Sequence, residues 1–329
     1  MRPLPKLQVV VISFAFCCTA LFATAQPVNL QTTGLRTADI QAANVLPVVT
    51  EWSSTHAQHV YGLPGAKAKE SGTLRIYGSD LLFVGKTSRS TIGLPSIYAV
   101  GAGNERVELW GVKGRLLRMA IPNGGGLFAA TFMHHRVDMF TVEFGDKDGG
   151  YHTAVFYLPA NEAGRALQVI TASPMAHREP AGTACSGSPV NLSSVRVPLP
   201  TWNDADAPAA YRALVYEHLI DRLRQSPGID RVYRDGEPGC PQYTVQLTAT
   251  GFKAGSQIAR ASTGPVGMFV GTTQMGFDMR ILDARGQEVD HDRIKATVRG
   301  ESESINVSQS VAKKIAKEFA ASQTRSQHK

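Results

Sequence analysis

The sequence predicts an α+β fold: a small antiparallel β barrel or sandwich capped by a helix, then a second α/β domain with a mixed sheet and two helices. Three observations lead there. Between residues 71 and 158 short apolar runs alternate with turn residues at hairpin spacing. Directly after them comes a segment of helical periodicity, and beyond residue 193 strand-like and helix-like patterns interleave. Composition agrees with a folded chain. Of 329 residues 43% are hydrophobic and 19% charged, which excludes disorder, and the length suits two domains with cores of their own.

The first 25 residues read as an export signal. Arg2 and Lys6 precede a mainly apolar run from Leu7 to Phe22, and Ala23-Thr24-Ala25 before Gln26 is a small-x-small cleavage site. The run is shorter than the roughly 20 residues a spanning helix needs. Cys17 and Cys18 lie inside it, but Phe16 stands where a lipoprotein site needs a small residue. Export then places the chain in the periplasm, peripheral to the outer membrane at most. Cys185 and Cys240, the cysteines left after cleavage, are expected to form a disulfide in that oxidising compartment.

Residues 26–70 are polar and irregular and read as an extended leader, with an amphipathic stretch from Ala38 to Val49 interrupted by Pro47. A β domain over 71–172 follows. Its strands are expected at Thr73–Tyr77, Leu81–Val84, Thr91–Ile97, Glu105–Trp110, Leu116–Ile121, Asp138–Phe144 and Tyr151–Leu158. Gly78-Ser79-Asp80, Asn123 to Gly126 and Asp146 to Gly150 supply turns. Pro159 introduces a helix whose Ala163, Ala166, Leu167 and Ile170 share a face.

This order of hairpins closed by a helix, with Gly72 to Ile76 and Phe83 as an opening hairpin, resembles a pleckstrin-homology-like or GRAM-like domain. The resemblance covers about 100 residues and implies recognition of a lipid or peptide rather than catalysis. Lys86, Arg89, Lys113, Arg115 and Arg118 are the candidate anionic-ligand surface.

Residues 173–192, rich in Pro, Gly and Ser, read as a linker. In 193–322 a strand at Ser193–Leu199 precedes a helix over Ala207–Gln225, whose Tyr211, Leu214, Val215, His218, Leu219 and Leu223 recur at helical spacing. Strands at Tyr243–Ala249, Phe277–Asp283 and Ile294–Val298 and an amphipathic helix at Ser308–Ala321 complete the domain, leaving 323–329 as a disordered tail. The Tyr211–Leu223 helix, the Tyr243 and Phe277 strands and the Gly264-Pro265-Val266-Gly267-Met268 segment resemble uncharacterised envelope domains related to the TolB amino-terminal domain and to CsgG-type lipoproteins. Such proteins often carry a lipidated cysteine, which the signal here lacks.

Chemistry is sparse. A Gly-x-Ser-x-Gly nucleophile turn is missing, as are CxxC and HExxH. His56 and His59, with Glu51, and the His134-His135 pair lack a metal-binding frame, and Asp146, Asp148 and Gly149 make only a fragment of a calcium loop. His218 reads as a hydrogen-bonded core histidine. Gly124 to Gly126 has no Lys-Ser/Thr after it to complete a phosphate cradle. Gly264, Pro265, Met268 and Phe269 form either a partner-facing loop or a bulged, buried strand; they are the candidate interaction loop. The net charge of +7, two of it from Arg2 and Lys6, is spread over both halves and gives no nucleic-acid stripe. The expectation is a non-catalytic exported protein with no cofactor that binds another envelope component, a protein or a glycan assembly. The alternative is a periplasmic carrier for a lipid or anionic amphiphile.

Overall fold

The computed structural model describes residues 51–108, 134–172, 175–176, 185, 189–203, 205–255, 272–298 and 303–327. The chain divides into Met1–Pro47, which lies outside the described residues together with the expected export signal, and a compact unit from Val48 to Lys329. Among the described residues that unit holds two sheets and three helices.

The first sheet has seven antiparallel strands in the order β4-β3-β2-β1-β7-β6-β5 and does not close into a barrel. They are β1 (Trp52–Tyr61), β2 (Glu70–Tyr77), β3 (Asp80–Gly85), β4 (Arg89–Gly93), β5 (Ile97–Glu108), β6 (His134–Gly145) and β7 (Tyr151–Leu158). Gly78, at φ +60°, starts the two-residue turn that pairs Tyr77 with Asp80, a conformation favourable to glycine. Helix α1 (Glu162–Thr171) lays Ala163, Ala166 and Ile170 into a core with Leu74, Ile76, Phe83, Phe140 and Phe156.

Two sequence expectations change here. The supposed leader contains β1, a central strand paired with both β2 and β7. Its inward positions are Ser54, Ala57 and His59, and an irregularity between Ser54 and Ala57 shifts its phase, so no apolar alternation marks it. Residues 91–97 are not one strand, because Pro95 opens a 3-10 turn at Leu94–Ser96 between β4 and β5. The expected strand at 116–121 lies outside the described residues.

The second sheet is mixed, in the order β12-β11-β10-β8-β9. Its members are β8 (Asn191–Arg196), β9 (Arg231–Tyr233), β10 (Pro241–Lys253), β11 (Thr273–Asp283) and β12 (Glu288–Val298). β8 runs parallel to β9 and β10, and the rest is antiparallel. The short β9 has no periodic signal in sequence. The Cys185–Cys240 disulfide is present, with Cα atoms 5.2 Å apart, and ties the chain before β8 to the start of β10.

Helix α2 (Ala209–Arg224) begins after Pro208 and ends at Ser226-Pro227-Gly228, with Arg222 and Arg224 in its last turn where the helix dipole favours cations. Helix α3 (Asn306–Gln327) packs on β11, β12 and α2 and runs through most of the segment read as a disordered tail. The expected amphipathic α2 is instead buried nearly all round, since it also packs on β5, β6, β7 and β9. Met139, Tyr151 and Val155 of the first sheet accordingly share one core with α2, α3 and the second sheet. The two lobes therefore share a helix and a core.

Candidate functional site

Where α2 meets β7, a charged pair is buried. Glu217 and Arg234 are 3% and 4% exposed. Arg234 Nη1 and Nη2 donate to the two Glu217 carboxylate oxygens at 2.9 and 2.7 Å, and Nη1 also donates to Tyr151 O at 3.0 Å. Thr153 N donates to Glu217 Oε1 at 2.9 Å. Burial alone would lower the Arg234 guanidinium pKa, but Glu217 beside it raises it above the usual arginine value. Tyr151 N donates to Asp235 O at 2.8 Å, and the Asp146–Gly150 turn sits against Gly236. Asp146 Oδ1 accepts from Asp148 N and Gly150 N, and Oδ2 lies 3.0 Å from His152 Nε2, so this segment is a hairpin turn. These contacts fix the lobes at one side of α2.

On the other side the lobes stay apart and leave a cleft of about 810 Å³. Its floor comes from the outward residues of β1, His56, Gln58 and Val60, with Val137, Tyr157 and Leu158 of β6 and β7. Leu214 and His218 of α2 form a wall; Ile305, Asn306 and Gln309 at the start of α3 close the far end. Lys69, Ser71 and Glu303 stand among its polar members. The volume falls in the range of small-molecule sites, and the apolar surface with a few polar groups is the usual lining of one.

Tyr61 and His218 form the polar corner. Their ring centroids are 4.0 Å apart, and Tyr61 Oη donates to Asp221 Oδ2 at 2.5 Å. Burial and the Asp221 hydrogen bond hold the Tyr61 phenol above the ordinary tyrosine range. Burial pushes His218 down to about 4, against the pull of Asp221. Both rings are thus neutral at physiological pH, and the corner offers hydrogen bonds and aromatic surface. His218 is a half-buried wall residue rather than the core histidine expected.

The β1–β2 connection, Gly62 to Lys69, borders the cleft through Ala68 and Lys69. His59 clamps it: Nδ1 lies 2.9 Å from Lys67 O, and Nε2 accepts from Leu63 N at 3.0 Å. Burial lowers the His59 pKa below its usual value, in keeping with a neutral ring that donates through Nδ1 and accepts through Nε2. His56 and His59 lie on opposite sides of β1, one exposed in the cleft and the other 1% exposed in the core, so they do not share a metal.

The other sequence candidates lie elsewhere. Lys86 and Arg89 stand at the β3–β4 turn, where Glu70 accepts from Thr87 N and Ser88 Oγ, at 2.6 Å each. Lys113, Arg115 and Arg118, and the candidate loop Gly264, Pro265, Met268 and Phe269, lie outside the described residues. Among the described residues no helix is long and apolar enough to cross a membrane. The cleft itself had no signature in sequence, because β1, β6, β7, α2 and α3 each contribute only one to a few residues.

No protein-family model matches the sequence, and no curated protein does. Among solved structures the chain is similar to a Xanthomonas campestris protein of the family model DUF330, at 10% identity and TM-score 0.32, over 41% of this chain and 88% of that one. It is also similar to the PelC dodecamer from Paraburkholderia phytofirmans, at 12% identity and TM-score 0.25, over 42% and 91%. Each likeness is confined to about two fifths of the chain.

Proposed function

We propose that this is a non-catalytic, exported binding protein that takes up a component of the cell envelope in the cleft between its lobes. The observation that carries the reading is the 810 Å³ cleft, with mixed apolar and polar walls and a Tyr61–His218 corner, beside a helix buried by both lobes. A wall packed in this way suits binding, since little ordering entropy is lost when a ligand enters. The corner residues support the same reading. Tyr61 is engaged by Asp221, and neutral His218 packs on its ring, so their roles are to position and to hydrogen-bond.

A second reading, an amphiphile carrier, is favoured by the apolar side chains of Val60, Val137, Leu158, Leu214 and Ile305 along the cleft. The strand order of the first sheet, two meanders joined through β1 and β7 and followed by a helix, supports a pleckstrin-homology-like lobe, a resemblance that implies lipid or peptide recognition.

The test is recovery of the protein from periplasmic extract, wild type beside Ala68→Trp with Gln309→Trp, two exposed cleft positions where bulk fills the site. A component retained by the wild type and lost from the filled variant supports the proposal. A lipid in that role selects the carrier reading, and a protein or glycan selects the first. Turnover of hydrolase substrates that the filled variant loses would refute a non-catalytic role.

A further inference from the structure

A second concavity, of about 360 Å³, opens on the outer face of the second sheet, at the end of β10, β11 and β12. Strand alternation places Met275, Phe277, Ile294 and Ala296 toward the helices and leaves the outer face to Gln274, Gly276, Arg293 and Lys295. Lys253, Arg293 and Lys295 line the concavity and are exposed, and among the described residues no carboxylate lines it. Asp278 comes within 4.0 Å of Arg293, but the same oxygen lies 2.6 Å from His291 Nε2.

The floor is open backbone at Gly251, beside Thr250, whose Oγ1 lies 2.7 Å from where a Cβ on Gly276 would stand. Gly251 pairs with Gly276, so two neighbouring strands lack side chains at one point, and a Cβ built on Gly251 meets nothing within 4 Å. An anion can therefore come down to the strands between three cations. The charge continues past the concavity: Lys314 of α3 reaches around the edge strand, its Nζ donating to Lys295 O at 2.6 Å. Four cations at one end of the sheet, with Asp278 and Glu288 farther along β11 and β12, fit an array of anions better than one small ion.

From this arrangement we infer that the outer face of the second sheet docks on an anionic lipid surface, with the phosphate of one headgroup seated over Gly251 and Gly276 between Lys253, Arg293 and Lys295. Each cation held near such a surface strengthens binding about fivefold, so removing three weakens it roughly a hundredfold. The site is separate from the cleft and does not depend on what the cleft holds.

The experiment is cosedimentation of the purified protein with vesicles of phosphatidylglycerol and phosphatidylcholine, against phosphatidylcholine alone. The wild type is expected to sediment with the anionic vesicles only. Lys253→Gln with Arg293→Gln and Lys295→Gln, all exposed, should lose about two decades of affinity. Gly251→Val, which fills the floor where an added Cβ meets nothing within 4 Å and keeps every charge, should lose about fivefold, and the cleft variant Ala68→Trp with Gln309→Trp should bind like the wild type. A wild type that stays in the supernatant, or a triple variant that sediments as well as the wild type, overturns the inference. An unaffected Gly251→Val overturns the seated headgroup. Release by millimolar inorganic phosphate, or stronger capture by a soluble anionic polysaccharide at equal charge, overturns the lipid as the partner.

Discussion

Replacing Arg234 by Met tests how the lobes are held together. The substitution keeps much of the side-chain volume but removes both bonds to Glu217, at 2.9 and 2.7 Å, and the bond to Tyr151 O at 3.0 Å. Glu217 is left 3% exposed beside Thr153 N with no opposing charge, and must either bear buried charge or take up a proton. Breaking a buried pair from one side costs about 3–5 kcal/mol. For a unit of this size that lowers the melting temperature by about 10 °C. Glu217→Gln together with Arg234→Met should recover about 2 kcal/mol of the loss, since no charge remains buried and the amide oxygen of the substituted side chain would still accept from Thr153 N. The assay is urea unfolding followed by circular dichroism on wild type, single and double variants. A single variant within about 1 kcal/mol of wild type, or a double variant no better than the single, would refute the argument that this pair fixes the interface.

Other expectations follow from single features. Reducing Cys185–Cys240, which spans 55 residues, should cost about 4 kcal/mol by loop-closure entropy, read as a lower melting temperature in dithiothreitol. Gly62→Ala should destabilise by at least about 2 kcal/mol, since Gly62 has φ +93° and an added Cβ would lie 2.1 Å from Thr153 O. Gly164→Ala, on an exposed helical position with nothing within 4 Å, should stabilise by about 1 kcal/mol. His59, His152 and His218 are all held below their ordinary value of 6.5, burial being the largest cause for each. The unfolded chain therefore takes up protons first as pH falls. Their stabilisation is complete above about pH 6.5 and is lost as the pH drops toward the folded values, about 4 for His218, whose share is on the order of 3 kcal/mol. Urea midpoints between pH 7 and 4 check this, and His218→Gln should flatten the slope.

What could be read in the sequence, and what could not, divides along physical lines. β2, β3, β7 and α1 were legible because turn residues bound them and their apolar spacing is local. The disulfide was legible because the expected cleavage after Ala25 would leave Cys185 and Cys240 as the two cysteines to pair. β1 was hidden, since its core face uses Ser54, Ala57 and His59 and an irregularity breaks its period. In α2 helical spacing marks Tyr211, Leu214, Val215, Leu219 and Leu223, while Ala210, Ala213 and Glu217 fall outside that pattern; only the first sheet, packed against their side, explains their burial. The cleft is a product of the same tertiary event. His56 and His218, 162 positions apart in the chain, line one cavity because the two lobes share α2.

The most direct test of the proposed binding role is native mass spectrometry of the protein taken from whole-cell extract, wild type beside the filled-cleft variant Ala68→Trp with Gln309→Trp. The wild type should give a heavier species of defined stoichiometry and the variant the bare chain. Bare chain in both, or the same added mass in both, would contradict a binding role for the cleft.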